Sequence, residues 1–231
     1  MEPSSKACYH GAMGTKVIPR EVGKIITHSR ELRELRRTLR LSDAQRKVVV
    51  GTLLGDGCLI PNSWGKQYRL QIEHSVAQKG YVFWKYRLLR NFVLTPPQFN
   101  ERNQSWKFRT ISHPEFTELA SQFYDLRRRK ILPDIALQDL QDPFVLAVWY
   151  MDDGGLRKER GRVYGAFLNS QSFSATENTL LQERIRDIFG VKTLVLQNHR
   201  KPRIYIPGYS VERFMAIISP HTIDSMRFKI S

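Results

Sequence analysis

The sequence predicts an α+β chain built from two pseudo-symmetric αββαββα repeats. Two observations carry that expectation. Two strongly apolar helical stretches, one before residue 55 and one before residue 152, each run into Asp-Gly. The pattern of strands and helices after the first stretch recurs after the second at a nearly constant offset, the mark of an internal duplication. A length of 231 residues with 41% in the hydrophobic set suits one large domain or two fused small ones, each with a real core.

From the N-terminus, residues 1–28 mix Gly, Ser, Pro and scattered charge without periodicity and read as an irregular tail. Residues 29–40 put Leu32, Leu35 and Leu39 on one helical face with arginines around the rest, a short basic helix. Together, 1–40 read as a basic N-terminal extension, partly disordered. Ser42 followed by Gln45 is a capping-box start. The run Val48, Val49, Val50, Leu53, Leu54 then reads as a buried helix ending at Gly55-Asp56-Gly57. In the second half Asp142 caps and Pro143 opens a helix through Phe144–Met151, ending at Asp152-Asp153-Gly154.

Strands are expected at 68–75 and 165–172, helices at 80–92 and 176–189, and strands again at 106–112 and 204–210. Leu70-Gln71 matches Leu168-Asn169, and Phe116 matches Phe214, both 98 residues apart. Asp56 and Asp153 are 97 apart, and Lys130-Ile131 and Lys229-Ile230, 99 apart, close the two halves. The repeats therefore span 41–132 and 133–231, joined near 131–142.

Along the strands, apolar Tyr68, Leu70 and Ile72 alternate with Gln67, Arg69, Gln71 and Glu73; Trp106 and Phe108 alternate with Lys107 and Arg109; Ile204 and Ile206 alternate with Arg203 and Tyr205. Each strand is half-buried, with one face on a core. For one strand the polar face is an ordinary wet surface. Repeated in a chain with 37 Lys and Arg against 22 acids, net +15, it suits reading of base edges, where Arg matches guanine and Gln or Asn matches adenine. The excess of positive charge points to a polyanion.

Other classes are disfavoured. The sequence has no apolar run of eighteen residues and no secretory apolar segment at its start. Cys8 and Cys58 sit in no Cys/His cluster, which argues against a disulfide scaffold or structural zinc. Lone histidines such as His74 and His113 read as polar surface residues.

The stretches VVGTLLGDG (49–57) and LAVWYMDDG (146–154) each resemble the nine-residue signature of the LAGLIDADG homing endonucleases, in the single-chain, two-repeat branch. The resemblance covers about 41–231 and includes WYMDDGG, LNSQSF at 168–173, VLTPPQ at 93–98 and a lysine near the end of each half. It implies two signature helices packed at the interface of the halves, below a saddle of antiparallel sheets that straddles DNA. It implies catalysis by Asp56 and Asp153, which would share two or three Mg²⁺ ions, with Gly55 and Asp152 in the preceding position as secondary metal contacts. Lys130 and Lys229 would polarise the solvent network or stabilise charge on the attacked phosphate, and Gln71 and Asn169 would position water. DNA contacts are expected from Gln67, Arg69, Glu73, Lys107, Arg109, Gln171, Arg203 and Tyr205.

The chemistry fits these residue types. Carboxylates hold hard divalent ions, and closely spaced ions can clamp attacking and leaving oxygens. Asp at a helix C-terminus opposes the helix dipole, so its double occurrence favours function over mere helix termination. The second repeat departs from the signature by carrying Val148 where the first has Gly51, which implies that Gly51 accommodates Val148. The alternation also puts Phe167 on the DNA face. The partner expected is a long, non-palindromic DNA duplex bound by one monomer, with no membrane, and the reaction is metal-dependent double-strand cleavage that promotes intron mobility. An intron RNA maturase on the same scaffold is the alternative, and a degenerate DNA-binding regulator a third reading. An organelle (mitochondrion or chloroplast) or a prokaryotic cytoplasm is the expected location, not the secreted space.

Overall fold

The computed structural model describes residues 30–231, so the tail read in 1–28 lies outside the described residues. Helix α1 (Arg30–Thr38) is anchored by buried Leu32, and Leu39 just beyond it is buried in the same core, while Arg30, Arg33 and Arg37 project outward. Helix α2 (Asp43–Leu54) starts at the expected capping box: the Ser42 hydroxyl accepts from the Gln45 N–H, and the Gln45 side chain accepts from the Ser42 N–H.

The first repeat continues with β1 (Cys58–Pro61), β2 (Tyr68–Ser75), α3 (Lys79–Leu88), β3 (Gln98–Asn100), β4 (Ser105–Arg109) and α4 (Pro114–Phe123). The joining segment is itself structured: α5 (Asp134–Asp139) buries Ala136, and Leu140 behind it is buried too. The second repeat is α6 (Pro143–Asp153), β5 (Gly154–Glu159), β6 (Arg162–Leu168), α7 (Ala175–Phe189), β7 (Leu194–Asn198), β8 (Lys201–Pro207) and α8 (Gly208–Ile218). Asp142 caps α6 by accepting from the Phe144 N–H at 2.8 Å. Both sheets are antiparallel, in the orders β1-β2-β4-β3 and β5-β6-β8-β7. The duplication is therefore a duplication of topology, and the two sheets form the β-saddle.

Signature helices α2 and α6 pack against each other. Val48, Val49, Val50, Leu53 and Leu54 have no exposed surface, and neither do Val145 to Met151. Apolar residues on every side belong in a core, and the stretch of α2 from Val48 packs with α6 to form its axis. A Cβ added at Gly51 would lie 2.7 Å from Val148 Cβ, so Gly51 does make room for Val148. One turn later, a Cβ at Gly55 would lie 2.5 Å from Asp152 Cβ. Residues at matching motif positions thus touch each other across the pseudo-twofold, and the small one of each pair admits the large one.

Several boundaries move. The helix expected over 80–92 ends at Leu88, and 90–92 form a separate 3-10 turn that buries Phe92. The strand expected over 106–112 stops at Arg109; beyond it the Thr110 hydroxyl accepts from the Leu70 N–H at 2.9 Å. Strand β6 runs 162–168 rather than 165–172, because Ser170 turns inward to pair with buried Asn178. Strand β8 runs 201–207 rather than 204–210; Pro207 has no N–H for the ladder and becomes the cap of α8.

The register corrects the matching of the halves. Cys58, two residues after Asp56, pairs with Gln71, and Gln71 pairs with Arg109. Gly155, two residues after Asp153, pairs with Phe167, and Phe167 pairs with Tyr205. In the sheets Phe167, not Asn169, is therefore the counterpart of Gln71, and Tyr205 that of Arg109.

Candidate active site

The packed helices α2 and α6 carry Asp56 and Asp153 to one place, where their carboxyls meet in a side-chain hydrogen bond. Burial, followed by the charges of Asp56 and Asp152, pushes the Asp153 carboxyl up to about 8. Asp56 goes the other way: burial raises it, but the facing His74 ring, the Asp153 hydroxyl and the Lys85 ammonium outweigh burial and hold it below the ordinary range. The pair therefore carries one proton in neutral water, as expected of two acids that cannot both ionise at contact.

Each lysine closes the helix end of its own half. Lys130 Nζ donates to the carbonyls of Gly55 at 2.9 Å and Gly57 at 3.2 Å, and Lys229 Nζ donates to the Asp152 carbonyl at 2.8 Å. Gly55 and Asp152 directly precede the two acids, so the lysines are pseudo-equivalent. Cations at helix C-termini also offset the unfavourable placement of Asp there. Burial lowers both ammonium groups from the ordinary lysine range. A tight loop aims Lys130: the Asp125 carboxylate accepts from the Arg127 and Arg129 N–H groups and pairs with the Arg129 guanidinium at 2.8 Å. Arg127, Arg128 and Arg129 are exposed, and Lys130 alone of that run turns inward.

Of the four residues predicted for metal, the two motif acids direct carboxylates to this point. Gly55 and Asp152 give their carbonyls to the lysines. The Asp152 carboxylate is fully buried against Lys85 Nζ at 2.5 Å, which removes it from the shared site. Among the described residues, no cluster of three or more His, Cys, Asp or Glu could form a protein-only cage. The donor set is two carboxylates, which suits an ion that keeps other oxygens from water or phosphate.

On the sheets, Arg69, Gln71 and Glu73 of β2 share a face with Lys107 and Arg109 of β4, and Arg203 and Tyr205 share the corresponding face of β8. Phe167 is on that face too, as the alternation predicted, with the Arg203 guanidinium 3.6 Å from its ring centroid. Burial and the neighbouring Arg109 charge depress Arg69, and burial and Arg157 depress Arg203, so cations crowd both faces. Glu73 is tied down by the Ser105 hydroxyl at 2.5 Å and by Asn103 at 3.3 Å. Three predicted residues lie off the strands. Gln67 precedes β2 and lines a groove beside Arg33, Arg37 and Arg40. Asn169 lies just beyond β6, its N–H on the Asp153 carbonyl at 3.0 Å, and Gln171 donates to the Asn169 side chain at 3.5 Å.

A model of the LAGLIDADG DNA endonuclease family matches residues 46–214. The chain belongs to that family. It is 28% identical to the probable intron-encoded endonuclease 1 of Wickerhamomyces canadensis, over 82% of this chain and 85% of that protein. It is 29% identical to the DNA endonuclease I-ChuI of Chlamydomonas applanata, over 83% of this chain and 96% of that one. The solved structure of the homing endonuclease I-WcaI bound to its DNA recognition sequence superposes with a TM-score of 0.79 at 25% identity, covering 88% of this chain and 93% of that one.

Beneath the acids of this LAGLIDADG protein lies a charged cluster that the sequence patterns do not announce. Lys85 and Asp152 form a fully buried ion pair. His74 stands between Asp56 and this ion pair, its Nδ1 3.5 Å from Asp56 Oδ2 and its Nε2 3.2 Å from Lys85 Nζ. The Tyr81 ring lies 4.2 Å under the ammonium, and its hydroxyl donates to the Val148 carbonyl at 3.2 Å. Burial lowers Lys85 and raises Tyr81. His74 and His113 are thus buried, not surface residues; His113 caps α4, and its other ring nitrogen contacts the Arg36 carbonyl at 3.0 Å. A signal for His74 was present: in the alternation Leu70, Ile72, His74 it falls on the core face. Lys85 is one helical turn from buried Tyr81, but nothing local names its partner, 67 residues away.

Proposed function

We propose that the chain is a site-specific endonuclease that hydrolyses one phosphodiester in each strand of a DNA duplex with the help of Mg²⁺, and that it acts as a monomer on a long non-palindromic target in the service of intron mobility. The observation that carries this reading is the meeting of Asp56 and Asp153, one from each half, with a lysine bound behind each. The acids fit a divalent ion. Without one, the pair retains a proton up to about pH 8, and a hard cation held by the two acids would displace that proton.

Mg²⁺ bound there would neutralise charge on the attacked phosphate and make water more acidic. The protein supplies the rest. Asp56 and Asp153 would hold the ions, one acid per strand. Lys130 and Lys229 lie directly behind the acids, close enough for their ammonium groups to stabilise charge that develops on phosphate oxygens. Gln71, on the strand beside Cys58, and Asn169, bound to the Asp153 carbonyl, would orient water. Arg69, Lys107, Arg109 and Arg203 would take phosphates or guanine edges, and each phosphate neutralised should steepen the fall of log K with log salt by roughly 0.9.

The test uses the purified full chain and duplexes selected from a randomised pool. The wild type with Mg²⁺ should yield double-strand breaks. Asp56→Asn or Asp153→Asn should abolish them while duplex affinity stays nearly intact, because each acid holds cation rather than base. Double-strand cleavage at the wild-type rate by Asp153→Asn would end the assignment. Sedimentation should find one chain per duplex; two would refute the monomer.

A further inference from the structure

The two sheet faces differ most at equivalent rows. In the first half the row level with the acids reads Cys58, Gln71, Arg109 across paired strands. The corresponding row of the second half reads Gly155, Phe167, Tyr205, Leu194. Its neighbour in β7 on the same face is Leu196, paired with Arg203. Leu194 and Leu196 are 45% and 36% exposed, which is high for leucines on a sheet. Phe167 and Tyr205 lie ring to ring, centroids 5.0 Å apart. Gly165 leaves room for the patch, since a Cβ there would strike the Tyr205 ring at 2.4 Å.

Clustered exposed apolar side chains rimmed by charged ones mark an interaction surface. Its surroundings choose the occupant. Arg203 stacks on it, and Arg157 is close enough to depress Arg203. The patch continues the face that leads from Asp153, the face proposed above to meet DNA. In the major groove, the one apolar group a base pair offers is the thymine C5-methyl.

We propose that the second half recognises its half-site through thymine methyl groups, with Leu194, Leu196, Phe167 and Tyr205 as specificity-determining residues, whereas the first half reads its half-site by hydrogen bonds from Arg69, Lys107 and Arg109. This rests on the nuclease reading only for the DNA partner, not for cleavage.

The experiment is a binding measurement with the full chain and no divalent ion, so it is independent of cleavage. Duplexes are first selected by binding from a randomised pool. Each thymine of the best binder is then replaced singly by deoxyuridine, which removes one methyl and changes no hydrogen bond. Loss of roughly fourfold in affinity per contacted methyl is expected, confined to one half-site. Leu194→Gln, a substitution on an exposed edge strand, should abolish the discrimination at the thymine it covers. Indifference to uracil throughout the duplex would overturn the proposal. So would sensitive thymines in both half-sites alike, or a pattern that survives unchanged in both Leu194→Gln and Leu196→Gln. If the thymine pattern holds and no duplex is ever cleaved, the nuclease reading fails alone.

Discussion

The two halves share one strand order, the paired acids and the paired lysines, and differ at many other equivalent positions. Beneath Asp56 the core face of β2 carries His74, joined to a buried Lys85. The same register in β6 places Ser170 there, neutral, with its hydroxyl donating to Asn178 and accepting from the Ile204 N–H at 3.2 Å. On the axis, Gly51 faces Val148 and Gly55 faces Asp152. The comparison teaches where a duplicated fold is free to diverge. Core positions keep their character because each sheet must bury one face. Axis positions change in complementary pairs, since each residue meets its own counterpart and only the summed volume and charge are constrained. The extra acid of the second half, Asp152, is balanced by a lysine of the first.

That last balance gives the largest expected effect. Lys85→Met leaves the Asp152 carboxylate buried without a cation, which costs about 3–5 kcal/mol in comparable cases. Urea unfolding would read it. Adding Asp152→Asn to Lys85→Met should recover much of the loss, because no buried charge is then left over. A double variant as unstable as the sum of the singles would mean the two residues do not form the pair that joins the halves.

The axis pair comes next. Gly51→Val should destabilise by roughly 1–3 kcal/mol through overpacking against Val148. Gly51→Val with Val148→Gly moves the bulky residue to the other helix and should be closer to wild type than Gly51→Val alone, although glycine within α6 carries its own cost of about 1 kcal/mol. Thermal melts of the four proteins form a double-mutant cycle. Additivity would show that the pseudo-twofold contact is not shared by this pair.

Legibility from sequence differs by level. Element order, caps and the paired acids were legible because they rest on local patterns: Ser42-Gln45, Asp142-Pro143 and the two Asp-Gly ends. Counterparts in the sheets were not. A constant offset of 98 joined Gln71 to Asn169, but strand register is set by how the chain leaves each helix. The first half turns through Gly55–Gly57 before β1, whereas β5 begins directly at Gly154. The Lys85–Asp152 pair was out of reach for a related reason. Buried charges declare themselves only with their partners, and here the partners belong to different repeats.

The acids themselves offer a pH test of the asymmetry between Asp56 and Asp153. An aspartate in the unfolded chain titrates near 3.8, while Asp153 in the fold keeps its proton up to about 8. Between those values the folded state binds the extra proton, so this group's contribution to stability falls as pH rises through that window. Metal-free protein should melt lower at pH 8 than at pH 5.5, and Asp153→Asn should flatten the dependence. Asp56→Asn should flatten it as well, by removing the charge that helps to raise Asp153. Mg²⁺ should restore the melting temperature at pH 8 in the wild type more than in either variant. A wild-type curve that rises across the window would contradict the shared proton.

The smallest expected effect lies at the outer hairpins. In the first half, β3 and β4 are joined by Glu101–Gln104, a four-residue connection in which Gln104 alone takes a left-handed backbone, φ 48°. In the second half, β7 and β8 are joined by His199 and Arg200 alone, both left-handed, with φ 50° and 63°. Two-residue hairpins favour this geometry because it matches the strand twist, but they favour Asn-Gly for it. Residues with a branched or bulky side chain carry a steric cost there. His199→Asn with Arg200→Gly should therefore stabilise the second half by about 0.5–1 kcal/mol, and the gain would be read as a higher melting temperature. The same Gly placed at Gln104 should give less, since one left-handed residue is relieved instead of two. The cationic tip would lose one charge, so duplex affinity should fall modestly at low salt and less at high salt. A hairpin variant that melts below the wild type would show that His199 and Arg200 hold the turn by contacts of their own, and that the second half does not carry more backbone strain at its rim than the first.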